Sequence, residues 1–310
     1  MTTSKVGTGI AHSKLILIGE HAVVYGQPAI ALPVTILKTT VTISAISAGQ
    51  YIENSESRRR LELMGDEFEG VRQLIIRLLQ KFETPDLTFS LEIDSNIPQG
   101  RGLGASAALA TAITRAFFDF FERELTDKEL LYFANFSENI THGRASGIDV
   151  ATVNSELPLW FIKNEPMEQI ELNFSGFLVI GDTGVHGFTS QAISIVRERI
   201  CEEKEKTMHQ ISKLGLLAAS SKEFLMSNQL PELGNVMNEA HDILTHLGVS
   251  HPRLNAMVKT ALANGALGAK LTGSGLGGVM VALAKNEKDA IKISQKLLKK
   301  GAKNTWIYSF

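Results

Sequence analysis

A glycine-rich segment stands directly before a stretch with the composition of a helix. Residues 100–113, GRGLGASAALATAI, place Gly100, Gly102 and Gly104 at alternate positions, and small and apolar residues follow. Glycine permits positive φ angles and lets the backbone approach a ligand closely. The start of a helix adds unpaired N–H groups and partial positive charge, which together bind anions. The segment is therefore a candidate phosphate-binding loop.

Other interpretations of this loop compete with the phosphate site. No Gly-Lys-Ser/Thr sequence ends it, so it is not the loop of the P-loop nucleoside triphosphatases. Its alternate glycines also depart from the Gly-x-Gly-x-x-Gly pattern of dinucleotide-binding folds. A tight strand-to-helix turn that binds nothing stays open as an explanation. Ser106, in the first turn of the helix, is either a cap or a hydroxyl ligand for a metal ion.

Charged residues near other glycines are the next candidates. Lys14 heads the apolar run LILI, and Glu20 and His21 directly follow a glycine. Glu138 lies late in a predicted helix, and Asp149 follows a Ser-Gly pair. Carboxylates can accept protons or hold a metal ion, and an amine can neutralise negative charge. Each residue also has an ordinary explanation, namely a solvated strand end, a turn, a surface position or a helix cap.

A second glycine-rich loop lies near the C-terminal end of the sequence. Residues 270–283, KLTGSGLGGVMVAL, carry Gly273, Gly275, Gly277 and Gly278 between two predicted strands. A plain hairpin is the alternative explanation. Because the two glycine loops fall in different predicted domains, they favour a ligand-binding cleft between domains.

The elements that must position these residues mix strands and helices. Strands are predicted at 15–18, 39–46, 87–93 and 177–184, on both sides of the second glycine loop within 265–284, and in the final NTWIYSF. Helices are predicted at 68–82, 105–121, 127–143, 188–206, 209–227, 230–246 and 252–264, and over EKDAIKISQKLLKK. Thr126 and Glu129 have the spacing of a capping box. Because the strands cluster rather than alternate with helices, an α+β fold is favoured over a doubly wound parallel sheet.

The overall composition is that of a globular protein without a charge excess. The 310 residues suit two domains, which we place at 1–170, with the nucleotide loop, and at 171–310. The net charge of −2 provides no electrostatic footprint for nucleic acid. The basic cluster Arg58–Arg60 is interpreted as a solvated hairpin tip.

Cysteine content and apolar run lengths bear on the cellular location. Cys201 is the single cysteine of the sequence and cannot form an internal disulfide, which favours a reducing compartment. No apolar run reaches the length of about 18 residues typical of a membrane span, and the N-terminal residues lack the character of a signal peptide. We expect a cytoplasmic protein with no membrane partner and no nucleic-acid partner.

Taken jointly, four segments resemble the mevalonate kinases of the GHMP kinase superfamily. They are residues 14–33, 97–108, 146–152 and 270–283, in the order of the family, so the resemblance spans almost the whole chain. GEHAVVYG, at 19–26, is specific for mevalonate kinases among their relatives, whereas the glycine loops mark only the superfamily. The resemblance implies an N-terminal domain of ribosomal-protein-S5-domain-2-like type and a ferredoxin-like C-terminal domain, with the active site between them.

The resemblance also implies a role for each matching residue. Lys14 and Asp149 would be the catalytic lysine and carboxylate. Glu20 and His21 would lie by the substrate end, and Glu138 would hold Mg²⁺ together with a serine hydroxyl, that of Ser106. The ATP phosphates would be held by Pro98, Gly100, Arg101, Gly102, Leu103, Gly104, Ala105 and Ser106.

Of the departures from the family pattern, two lie in the nucleotide loop and just before the Asp149 segment. Ala105 replaces the first of a common serine pair, which leaves Ser106 alone to reach a metal ion. Arg144 and Ala145 stand where Asn-Pro is frequent, and Arg144 adds a positive charge that could touch an anionic group. Neither departure removes a residue to which a role is assigned.

The activity implied by the resemblance is the ATP-dependent phosphorylation of the primary hydroxyl of mevalonate to 5-phosphomevalonate in isoprenoid synthesis, with Mg²⁺. A sister kinase acting on phosphomevalonate, homoserine or a sugar stays an alternative, as does a non-catalytic binding protein of the same fold. The oligomeric state is open, with a homodimer as one candidate. Thr183 and His186 are minor candidates for substrate contact. The spacing of His241, His246 and His251 does not suit zinc ligands on one helix face.

Overall fold

The structure, a computed structural model, describes residues 5–143 and 146–310. The contacts among these residues define two compact units. The first unit holds the residues up to Lys14 together with Pro33–Gln99 and Gly104–Ser155, and the second holds Leu15–Leu32, Gly100–Leu103 and Glu156–Phe310. The domain boundary at residues 170 and 171 stays a prediction.

The first unit combines a mixed sheet with helices. Its elements are β1 (Val6–Ile18) and β2 (Ala29–Ala45), which also contribute residues to the second unit, and then β3 (Gln50–Glu53), β4 (Arg58–Arg60), α1 (Glu69–Lys81), β5 (Phe89–Ser95), α2 (Ala105–Phe120), α3 (Asp127–His142) and α4 (Ile148–Val153). The strand order here is β4-β3-β5-β2, with β1 paired to β2. Strands β2 and β5 are antiparallel, whereas β3 and β5 are parallel.

Helix α2 lies in the core of the first unit. Its alanines and phenylalanines are buried on nearly all sides because it packs against α1, α3 and α4. The rings of Phe89 and Phe117 meet edge to face, with centroids 5.8 Å apart. Glycines of β1 pass directly against the helix, and a β-carbon at Gly9 would lie only 2.0 Å from the backbone oxygen of Ala112. The absence of side chains at these glycines thus allows β1 to lie close to the helix that follows the glycine loop.

The second unit is built around an antiparallel sheet. Its elements are β6 (Leu159–Phe161), β7 (Glu168–Gln169), β8 (Phe177–Asp182), α5 (Thr189–Glu202), α6 (Lys204–Met226), α7 (Leu230–His246), α8 (Pro252–Leu262), β9 (Gly268–Thr272), β10 (Val279–Ala284), α9 (Glu287–Lys299) and β11 (Asn304–Ser309). The strand order is β11-β8-β10-β9, and helices α7, α8 and α9 pack on this sheet. The first residues of β2 pair with β6.

The predicted α+β layout is confirmed, but the predicted starts of two strands were wrong. Strand β1 begins at Val6 rather than at residue 15, and β2 begins at Ala29 rather than at residue 39. Two glycines and a lysine interrupt the apolar pattern of β1, and Pro33 interrupts that of β2. Gly7 and Gly9 lie directly against α2, and a local sequence pattern does not contain such a contact.

The predicted start of α3 is confirmed, whereas the predicted boundary between α5 and α6 was wrong. The capping box of Thr126 and Glu129 is confirmed, with both of its hydrogen bonds present at the start of α3. The helix predicted at 188–206 ends at Glu202, and the next begins at Lys204 rather than at residue 209. Only Glu203, with φ of −135°, separates them, and no glycine or proline marks the break.

The basic cluster has a different position from the one predicted. Arg58–Arg60 form the exposed strand β4 rather than a hairpin tip. The tip is the preceding turn, in which Asn54 Oδ1 accepts the N–H groups of Glu56 and Ser57. Along the described part of the chain, no helix has both the length and the apolar character needed to cross a bilayer.

Candidate active site

The first glycine loop adopts backbone angles that glycine takes readily. Gly100, Gly102 and Gly104 have φ of +64°, +79° and +72°. Helix α2 begins at Ala105, and Gly104 at its N-cap has no side chain that could accept the first N–H groups. The N-terminus of α2 therefore has the electrostatic character of an anion site.

The other residues predicted to hold ATP differ in their surroundings. Pro98 is half-buried before the first turn of the loop, and Leu103 is buried. The Arg101 side chain points to Asp182, with 2.9 Å between Arg101 Nε and Asp182 Oδ1. Ala105 opens α2 and is half-buried. The contacts of these residues with phosphate stay predictions.

Lys14 and Asp149 lie together in the first unit. Lys14 Nζ is 2.8 Å from Asp149 Oδ1, and the two side chains are 6% and 39% exposed. The alternative explanation of Lys14 as a solvated strand end was wrong, because Lys14 lies within β1, which begins at Val6. A β-carbon at Gly104 would lie 2.8 Å from Lys14 Cγ, so the lysine stem passes directly over this glycine. The ion pair therefore lies beside the start of α2.

The two predicted metal ligands are in direct contact. Ser106 Oγ donates a hydrogen bond to Glu138 Oε1, and Glu138 is buried rather than on the surface. Burial raises the pKa of Glu138 above its ordinary value, and the charge of Asp149 acts in the same direction. One turn later on α3, His142 Nε2 lies 3.8 Å from Glu138 Oε2. Both predicted ligands thus adjoin the ion pair of Lys14.

Glu20 and His21 form a strained turn in the second unit. Ala22 N–H donates to the Glu20 carbonyl oxygen at 2.7 Å, and His21 between them has φ of +61°. A γ-turn with a positive central φ is rare, and strain of this kind is frequent at functional sites. His21 Nε2 lies 2.9 Å from the carbonyl oxygen of Ser274, in the second glycine loop. Because a carbonyl only accepts, His21 carries a proton on Nε2.

A fully buried ion pair holds this turn. Lys270 Nζ donates a hydrogen bond to Glu20 Oε1, and the two side chains are 0% and 1% exposed. Lys270 Nζ also donates to the carbonyl oxygen of Leu271 at 2.7 Å. Burial lowers the pKa of Lys270, and the charge of Glu20 opposes that shift. The pair connects the strained turn to β9.

A buried histidine beside this pair predicts a pH effect on stability. Leu271 N–H donates to His241 Nδ1 at 3.3 Å, and burial lowers the pKa of His241 to about 4. The ordinary pKa of the unfolded chain is about 6.5, so the stabilising contribution of neutral His241 is complete above pH 6.5 and is lost as the pH falls toward 4. The loss amounts to at most about 3 kcal/mol of unfolding free energy.

Urea unfolding of the wild type and of His241→Asn across this pH range tests the prediction. The asparagine side chain keeps a polar group near the position of Nδ1 but does not titrate. We expect the variant to lose less unfolding free energy than the wild type between pH 6.5 and 4. Parallel curves for the two proteins would contradict the assignment.

The minor candidates have contacts of their own. Thr183 Oγ1 donates to the carbonyl oxygen of Gly278 at 2.7 Å, and His186 is exposed and stacks obliquely on Phe188. Arg144 lies outside the described residues. Within 5–143 and 146–310, no group of three or more His, Cys, Asp or Glu side chains is arranged to hold a metal ion.

Three buried polar residues of the second unit were not predicted from the sequence to be part of a site. They are Lys270, Asp182 and His241. A signal was present for the first two, because a lysine within the apolar run GAKLT and an aspartate ending FLVIGD both fall on predicted buried strands. A charge in such a position requires a partner. The sequence does not indicate which partner it has.

Family comparisons define the class of protein. The family model described as GHMP kinases N terminal domain matches residues 70–155, and the model described as GHMP kinases C terminal matches residues 221–303. The first match contains the glycine loop and Asp149, and the second contains Lys270 and the second glycine loop. The chain therefore has the two-domain fold of the GHMP kinases.

Comparison with individual relatives identifies the family within the GHMP kinases. The mevalonate kinase of Pyrococcus furiosus is 33% identical over 301 residues, covering 89% of both chains. The crystal structure of mevalonate kinase from methicillin-resistant Staphylococcus aureus is 34% identical, with a TM-score of 0.78 and 98% of both chains covered. L. major mevalonate kinase in complex with R-mevalonate has a TM-score of 0.85 at 26% identity, covering 100% of this chain and 96% of that one. The chain belongs to the mevalonate kinase family of the GHMP kinases.

Proposed function

We propose that this protein transfers the terminal phosphoryl group of ATP to the primary hydroxyl of mevalonate, which gives 5-phosphomevalonate. Membership of the mevalonate kinase family supports this reaction. The observation that carries the proposal is the 2.8 Å contact between Lys14 and Asp149 beside the start of α2. This contact places a carboxylate and an amine beside a helix N-terminus that is suited to binding phosphate.

The residues contribute alignment and charge neutralisation. Phosphoryl transfer passes through a loose transition state, so little covalent chemistry is required of the protein. Backbone N–H groups of the glycine loop and of α2 hold the phosphates of ATP. Asp149 orients the substrate hydroxyl and accepts its proton, and Lys14 fixes the carboxylate and offsets negative charge near the attacking oxygen. Carboxylates are weak bases toward alcohols, so the proton moves late.

Ser106 and Glu138 have the chemistry of a magnesium site. Mg²⁺ prefers oxygen ligands and is usually bound through one or two protein groups together with water and substrate phosphates. The hydroxyl of Ser106 and the carboxylate of Glu138 are already in contact. Burial raises the pKa of Glu138, and a cation bound to its carboxylate would lower that pKa again. Bound there, Mg²⁺ would neutralise phosphate charge. We therefore propose these two residues as its protein ligands.

Ser106→Ala is expected to raise the Mg²⁺ concentration needed for half-maximal turnover, because a hydroxyl ligand is lost. The measurement is initial rate against free Mg²⁺ at saturating ATP and mevalonate. Ser106→Thr, which keeps the hydroxyl, is the matched control and should titrate nearly as the wild type does. An unchanged Mg²⁺ titration in the alanine variant would remove Ser106 from the ligand set.

His21→Ala is expected to raise KM for mevalonate more than KM for ATP, because we propose that Glu20 and His21 face the acceptor substrate. Both KM values are measured in a coupled assay. His246→Ala, which changes an exposed histidine of α7, serves as the control. A rise confined to the KM for ATP would assign the strained turn to the nucleotide instead.

A substrate panel tests the proposed function against its alternatives. The rate of ADP formation is measured with mevalonate, phosphomevalonate, homoserine and galactose at equal concentrations. We expect the highest kcat/KM with mevalonate. A higher value with another acceptor would favour a sister kinase, and tight ATP binding without turnover on any acceptor would favour a non-catalytic binding protein.

We further propose a cytoplasmic location and a homodimer as the candidate assembly. The single cysteine of the sequence, Cys201, is exposed, which suits a reducing compartment. Cell fractionation tests the location. Light scattering of the purified protein tests the assembly.

A further inference from the structure

The Arg101–Asp182 ion pair is buried at the base of the first glycine loop. Arg101 Nε donates to Asp182 Oδ1 at 2.9 Å, and the side chains are 11% and 1% exposed. A charge-assisted hydrogen bond between buried groups is strong and directional. The side chain of Arg101 is therefore oriented by an aspartate of β8.

Asp182 is itself held rigidly. It ends β8 between two neighbouring strands, with Val279 of β10 on one side and Asn304 of β11 on the other. Its carboxylate oxygen Oδ1 also accepts the N–H group of Gly184 at 2.8 Å. The backbone oxygen of Asp182 accepts the N–H group of Lys303 at 2.8 Å. An anchor with these restraints can fix the position of its partner.

The backbone of the loop has further restraints within the second unit. Gly187 N–H donates to the carbonyl oxygen of Gly100 at 3.0 Å. A β-carbon at Gly278 would lie 2.9 Å from the carbonyl oxygen of Arg101, so the two chain segments are in close contact. The segment 100–103 is thus positioned by residues that follow it in the sequence by more than 80 positions.

We infer that Asp182 is a positioning residue for ATP: through Arg101 it holds the 100–103 segment in the conformation that presents its N–H groups to the phosphates. The inference rests on the proposed nucleotide role of this loop. It assigns the charge of Arg101 to the support of the loop rather than to direct contact with phosphate. The two assignments predict opposite changes in the affinity for MgATP when Asp182 is replaced by asparagine.

Asp182→Asn distinguishes the two assignments. If Asp182 positions the loop, the variant binds MgATP more weakly, by a factor on the order of ten, because misplacement of binding groups is costly. If Arg101 instead binds phosphate directly, loss of the opposing carboxylate frees its charge and tightens binding. The Kd of MgATP is measured by calorimetry, and KM for ATP, KM for mevalonate and kcat are measured by coupled assay.

Arg101→Met and the double variant Arg101→Met/Asp182→Asn complete the experiment. We expect each to weaken ATP binding as much as Asp182→Asn does, without additivity, since the groups act as one unit. The double variant leaves no buried charge unpaired, so it reports on the loop even if Asp182→Asn folds poorly. The KM for mevalonate should change by less than about twofold, which a general loss of structure would not produce.

Glu168→Gln is the matched control. Glu168 belongs to the same unit and its carboxylate lies 2.9 Å from Lys222 Nζ, but this ion pair is more exposed than that of Asp182. The Glu168→Gln variant should leave ATP binding unchanged. Tighter binding of ATP by Asp182→Asn, or unchanged binding by the double variant, would overturn the inference. Failure of the wild type to phosphorylate mevalonate while it binds ATP would instead refute the proposed function and leave the calorimetric comparison intact.

Discussion

Replacing Asp149 by asparagine is expected to lower kcat by about 10²-fold or more while ATP still binds, in line with the usual cost of losing a general base. The amide keeps the shape of the side chain, but it cannot take up the hydroxyl proton and forms no ion pair with Lys14. The loss should fall on kcat because the interaction is used mainly in the transition state. Steady-state kinetics of the purified variant measure it.

Asp86→Asn is the control for this substitution. Asp86 is an exposed residue between α1 and β5, so the same chemical change there should leave kcat as it is. The Kd of ATP, measured separately, shows whether the nucleotide site of Asp149→Asn is intact. A folded Asp149→Asn protein with the turnover of the wild type would exclude Asp149 as the catalytic carboxylate.

Lys270→Met is expected to give the largest loss of stability among charge-removing substitutions. Lys270 and Glu20 are fully buried together, so the substitution removes the ammonium group that pairs with a buried carboxylate. Breaking a buried ion pair in this way costs about 3–5 kcal/mol. Urea unfolding of the variant and of the wild type measures the difference.

The double variant Glu20→Gln/Lys270→Met is the diagnostic comparison. It contains no buried charge from this pair, so it should be more stable than Lys270→Met alone. Lys222→Met, which breaks a more exposed pair with Glu168, should cost no more than about 1 kcal/mol. Equal unfolding free energies for the single and double variants would show that the loss comes from packing rather than from charge.

The features that the residue pattern alone predicted, without the family resemblance, are those with local causes. Gly104 and the small residues after it specify a positive φ followed by a helix, and that is the observed start of α2. Thr126 and Glu129 specify a capping box three residues apart. In each case the interacting groups lie within one helical turn, so the pattern contains the whole physical argument.

The features that sequence did not predict depend on distant partners. Glu20 and Lys270 are separated by 250 positions, and Arg101 and Asp182 by 81. Neither pair has a periodicity that would associate its members. The start of β1 was predicted too late because Gly9 and its neighbours interrupt the apolar pattern, and these glycines are required for close contact with α2. Tertiary contact decided these positions rather than local propensity.

Analysis of the reaction products shows whether this protein phosphorylates the primary hydroxyl of mevalonate. Wild-type protein is incubated with mevalonate, ATP and Mg²⁺, and ³¹P NMR follows ATP, ADP and any new phosphate ester. We expect one phosphomonoester, coupled to the protons of a CH₂ group and formed in equal amount to ADP, and its near absence with Asp149→Asn. Formation of no more ADP than in the mevalonate-free control, or equal product from the variant, would contradict this expectation.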